Sequence, residues 1–194
     1  MKSYLSWDLF LLAFFAVVVA YSFIIGKNQT LKVILGTYVA ILCADGLGNI
    51  FSKYFVGSQA FLKLLSLFAA GNEQQAVAFF KVIILLILVV VVAVKGLFHV
   101  DTNEEGAFSI RFVLVSLLGV LSAGLMISTV LVFISGTSLI GGNLVNGAVV
   151  DKNILQDVYS SSRLIRIMLD YANFWFFLPG VAFVVMSVLH KKSA

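Results

Sequence analysis

Charge is scarce in this chain, and so are cysteine and proline. Charged residues make up 11% of 194, where a soluble domain carries about 25%. With 61% hydrophobic residues and a mean hydropathy of +1.09, no water-soluble fold of this length could hide its apolar surface. That makes lipid the solvent for most of the chain. Cys43 is the single cysteine and lies in an apolar run, which excludes a disulfide framework, a thiolate zinc site and a CxxC redox motif. A single proline leaves long helices uninterrupted and argues against domains joined by linkers. The net charge of +4 is scattered; without a basic run or a basic–aromatic stripe there is no nucleic-acid partner to expect. Catalytic signatures are missing too. His99 and His190 stand apart from any carboxylate or cysteine at ligand spacing, and Ser160–Ser162 has no matched base. GxSxG, Walker and dinucleotide motifs are absent. The expectation is a protein that is not an enzyme and holds no cofactor or metal.

What is present is a series of apolar runs of membrane length. Asp8–Ile25 is the first, with Tyr4 and Trp7 as interfacial anchors. Lys2 followed by Leu9–Ala20 loosely resembles a secretory signal, but Asp8 interrupts the basic region and the run continues to Ile25, so an uncleaved span is expected. Gly26–Thr30 is short enough to make the first two spans an antiparallel hairpin. The second span covers Lys32–Phe51, the third Phe79–Phe98 and the fourth Arg111–Ser135. The third is built on VIILLILVVVVAV, apolar all round and so suited to broad lipid contact, with Lys95 placed to snorkel. Asn173–His190 is just long enough to cross, but Pro179-Gly180 cuts it. It reads as a kinked fifth span, with two short pieces in one leaflet as the alternative. Two amphipathic helices, 58–70 and 152–171, suit the interface; Asn72 caps the third span and Asp151 the second amphipathic helix. His99–Gly106 copies the start of a calcium loop, but Phe112 stands where the bidentate glutamate belongs, so it reads as a solvated turn. The fold class expected is an all-α polytopic transmembrane helical bundle in one membrane domain.

Within these spans Asp45 stands out. A carboxylate at hydrocarbon depth costs roughly 2.5–3.5 kcal/mol and needs a partner, a proton or water. Tyr38, Asp45 and Asn49 fall on one side of a helix and form a polar seam. One reading is an ion or proton path. The other is an interhelical hydrogen bond, to Ser122 or Thr129, that fixes packing, or a carboxylate sitting closer to the headgroups near Gly46 and Gly48. In the fourth span Gly119, Ser122, Met126 and Thr129 share a stripe, and Gly119/Ala123 form a small-xxx-small pair, so this face is expected to meet another helix.

Asp8 opening an apolar helix, Gly26-Lys27 at its end and Lys32…Leu35-Gly36 opening the next resemble the colicin V production protein family. Ile25 stands where members usually carry arginine, and the glutamate expected a few residues on is missing. The resemblance covers about the first fifty residues. It implies a small bacterial inner-membrane protein of about four spans, linked to toxin export and envelope homeostasis. The function expected is a non-catalytic multi-pass component of a bacterial envelope or export system, acting through helix–helix contacts with a protein partner or its own copies. The alternative is a small channel or ion- or proton-coupled transporter whose path runs along Tyr38, Asp45 and Asn49.

Overall fold

The computed structural model describes residues 7–55, 73–95, 108–136 and 162–191. Tyr4, the helix expected at 58–70, the caps at Asn72 and Asp151 and the turn at 99–106 lie outside them. All five described elements are helices: α1 Trp7–Phe55, α2 Glu73–Lys95, α3 Phe108–Ile134, α4 Arg163–Asp170 and α5 Ala172–Lys191. Three helices among the described residues are long and apolar enough to cross a membrane, or four if the bent pair α4–α5 counts as one.

α1 is 49 residues long and leaves helical geometry at Gly26, where φ is 77° and ψ 174°. Only glycine takes that conformation without strain. The residues on either side run past α3 in opposite directions. Before the break, Leu11 shares a buried cluster with Ile127 and Leu131, a Cβ on Gly119 would lie 3.1 Å from Val19 and Ser22, and Phe23 stacks on Phe112. After it, Leu31 and Ile34 cluster with Leu118, and Ala40, Ile41 and Ala44 with Leu125 and Phe133. The hairpin expected at Gly26–Thr30 is therefore present as two arms, 7–25 and 27–55.

α3 is the axis of the bundle: 67% of its most apolar stretch is buried, against 22% for α2. α2 returns along the second arm of α1. Phe51 stacks on Phe80, Gly48 lies against Lys81, and a Cβ on Gly36 would overlap Val92 at 2.0 Å. One face of α2, with Leu85 and Val92, is buried, while Ile83, Leu86, Ile87, Val90 and Val94 point outward. α2 is thus exposed along one apolar face and packed along the other, so it is not open all round.

The C-terminal helices depart from expectation at two places. Of the helix expected over 152–171, residues 152–161 lie outside the described ones; Ser162 is extended (φ −121°, ψ 122°) and caps α4, so the described helix begins at Arg163. Ile165 and Met168 are buried against Leu11, Ile127 and Leu131, while Arg163 and Arg166 are exposed. Helix α5 passes through Pro179 unbroken, and the 66° bend comes earlier, at Tyr171. Proline removes one amide donor, and neighbouring groups in a membrane bundle can re-satisfy the backbone it frees. The carbonyl left without its amide here is that of Trp175; the Tyr38 hydroxyl donates one residue further on, to the carbonyl of Phe176.

Candidate functional site

Asp45 is fully buried, and its partner is a residue the sequence reading did not select. Lys81 of α2 places its Nζ 2.6 Å from Asp45 Oδ1 and donates to Asn49 Oδ1 at 3.0 Å. The ammonium also lies 5.6 Å from the centre of the Phe133 ring, over a face that favours cations. Both side chains are nearly inaccessible, at 0% for Asp45 and 6% for Lys81. Ten residues separate Asp45 from the end of α1, about 15 Å along the axis, and so about half of a hydrocarbon core.

Helix periodicity and one glycine build this geometry. Asp45 and Asn49 are four residues apart, so they stand one turn above the other on the face that meets α2. Gly48 lies between them on the chain and makes room for the lysine stem: a Cβ there would come within 2.3 Å of Lys81 Cγ. An ordinary side chain at position 48 would close the path by which Lys81 reaches the acid.

The expected partners of Asp45 are engaged elsewhere or lie apart from it. Thr129 donates to the carbonyl of Leu125 in its own helix, and the Ser122 hydroxyl is buried without a partner. A hydroxyl can close a bond within its helix, whereas a carboxylate at this depth is stabilised far more by an ammonium. Tyr38 is likewise separate from the pair, since its hydroxyl serves Phe176 on α5. The seam therefore divides, with Asp45 and Asn49 joined through Lys81 and Tyr38 holding a different helix. Gly119, Ser122, Ala123 and Thr129 are all buried, with Gly119 against Val19 and Ser22. On the same helix Gly124 accommodates Trp175, whose ring a Cβ would overlap at 2.1 Å.

A second polar cluster joins the chain's two ends. Asp8 Oδ1 accepts from the Ser162 hydroxyl at 2.5 Å and from the Leu164 amide at 3.1 Å, while Ser162 Oγ accepts from the Ile165 amide. Together they satisfy amides at the start of α4 that have no partner within the helix.

Lys81 did leave a signal in the sequence. It is a basic residue inside the expected third span, in AFFKVII, and an acid in one span with a base in another is the charge pairing a membrane interior requires. Among the described residues no three His, Cys, Asp or Glu side chains form a group that could hold a metal. Comparison with protein-family models, with curated proteins and with solved structures finds no match to this chain.

Proposed function

We propose that this chain is a multi-pass membrane protein of five crossings, acting without catalysis as a component of a bacterial envelope or export system. Its mode of action is helix–helix contact with a protein partner or with its own copies. The span count is supported by length: a straight α1 of 49 residues would reach roughly 70 Å, more than twice a hydrocarbon core. With a reversal at Gly26 each arm fits one crossing, α2 and α3 add one each, and α5 supplies the fifth. The bent, amphipathic α4 then lies along the interface. Outward apolar side chains such as Val17, Ile24, Val90 and Val94, each 60% exposed or more, suit a lipid-facing surface. The bacterial setting comes from the resemblance of the N-terminal hairpin to the colicin V production proteins.

The observation that carries the role is the Asp45–Lys81 pair. A carrier's carboxylate has to meet water on alternate sides, whereas this one is fully buried and neutralised by an ammonium at 2.6 Å. Its physical effect is to lock the second arm of α1 to α2. Reconstitution into liposomes with a pH gradient tests the reading. The purified protein should leave proton and alkali-cation flux at the level of empty liposomes; flux that Asp45→Asn abolishes would replace this reading with the transporter. Crosslinking in native membranes should then recover a discrete complex.

A further inference from the structure

One end of the bundle carries a cavity that the buried pair does not use. It has a volume of about 390 Å³ and opens between the second arm of α1 and the last turn of α2. Its lining is Ile25, Gln29, Lys32, Val33 and residues 92–95. Immediately inward, Gly36 lets the two helices touch through Val92, so the cavity begins where that contact ends. Two lysines from two different helices line it, without a carboxylate, and neither Lys32 nor Lys95 forms an ion pair among the described residues. Two like charges lining one cavity favour an anion between them. The rest of the wall is aliphatic apart from Gln29.

The position of the cavity narrows what that anion is. The α1 reversal, the last turn of α2 and the first turn of α3 meet at this end, where Gly26 lies near the Arg111 guanidinium. In a protein that crosses the bilayer, a chain reversal lies at headgroup level. Two cations above an aliphatic wall match a phosphate joined to an acyl chain. We propose that this cavity binds the headgroup of an anionic phospholipid, with Lys32 and Lys95 on the phosphate and Val33, Val92 and Val94 along the first methylenes. The volume is at the small end for ligand sites and takes a headgroup rather than a whole lipid. This assignment rests on the membrane reading above.

The test uses the full chain purified in neutral detergent, with thermal unfolding followed during titration of phosphatidylglycerol, phosphatidylcholine or inorganic phosphate. Phosphatidylglycerol should raise the midpoint saturably, and the other two should not. In Lys32→Gln/Lys95→Gln the apparent affinity should fall roughly thirtyfold, the loss expected for two lysines at an anionic surface. Lys53→Gln, at the opposite end, should respond like the wild type. Native mass spectrometry of Lys95→Gln alone, a change at an exposed helix end, gives a second readout as fewer retained phosphatidylglycerol molecules. An unchanged response in the double variant overturns the site, and an equal response to inorganic phosphate overturns the lipid as its occupant. Either result leaves the membrane reading standing. That reading falls separately, if the chain stays in the supernatant after a high-speed spin without detergent.

Discussion

Lys81 reaches Asp45 only because position 48 has no side chain, so three residues on two helices specify one interaction. Its energetic weight appears when one partner is removed. Lys81→Met strands a fully buried carboxylate and should cost about 3–5 kcal/mol, measured by reversible unfolding in mixed micelles. Asp45→Leu/Lys81→Met removes both charges and should recover most of that loss, because an apolar pair of similar volume avoids the desolvation of two ions. If the double variant loses as much as the two single losses summed, the residues are not coupled and the pair is not what holds α1 to α2. Asp45 was legible in the sequence because an acid inside an apolar run is an outlier wherever it falls. Its partner was harder to see: 36 residues separate the two, and pairing between helices follows packing register, which no local spacing encodes. The hydroxyls of Ser122 and Thr129 looked plausible for the same reason. A stripe identifies which face is buried without saying which helix covers it.

At the scale of elements, the chain turns or stops where a backbone group needs a particular residue. Gly26 has φ 77°, and a Cβ there would find its nearest neighbour at 3.8 Å. Space is therefore available, and the cost of a side chain would be conformational. Gly26→Ala and Gly26→Asn should each destabilise by about 1–3 kcal/mol, because a ψ of 174° lies outside the left-handed well that asparagine tolerates and in a region open only to glycine. An asparagine or alanine variant as stable as the wild type would argue that the backbone conformation is not the reason for glycine. Asp8 acts across elements, capping a helix more than 150 residues away. Asp8→Ala should destabilise the start of α4. The loss should be local, with faster hydrogen exchange at the Leu164 and Ile165 amides and no change at the α3 core. The reversal at Gly26 could be read from sequence because glycine and polar residues interrupt two long apolar runs. The start of α4 could not, because Ser162 takes its capping geometry with help from Asp8, a contact present only once the bundle has formed. Pro179 misled in the opposite direction, since a proline that breaks an exposed helix is accommodated in a packed one.

Across the whole molecule, composition was enough to read the helical class and the helices of membrane length, but the order of packing around α3 depends on side-chain shape. Gly119 beside Ser22, Gly36 beside Val92 and Gly124 beside Trp175 are three close approaches that fix α3 against the first arm, α2 against the second and α5 against α3. They also fix which ends of the helices are neighbours. Lys27 follows the reversal, and Lys95 ends the helix that packs back along the second arm, so both lie at one end of the bundle. Lys53, near the far end of α1, lies at the other. Cys43 is exposed and unbonded, so Cys43→Ala supplies a background for single cysteines at small structural cost. In intact cells or sealed vesicles, a membrane-impermeant maleimide should label cysteines at positions 27 and 95 from one side and at position 53 from the other. Labelling of 27 and 53 from the same side would mean that the second arm of α1 enters and leaves one leaflet. Asp45 and Lys81 would then sit in a re-entrant hairpin, and the five-crossing bundle would have to be abandoned, even though every contact described between α1, α2 and α3 could persist.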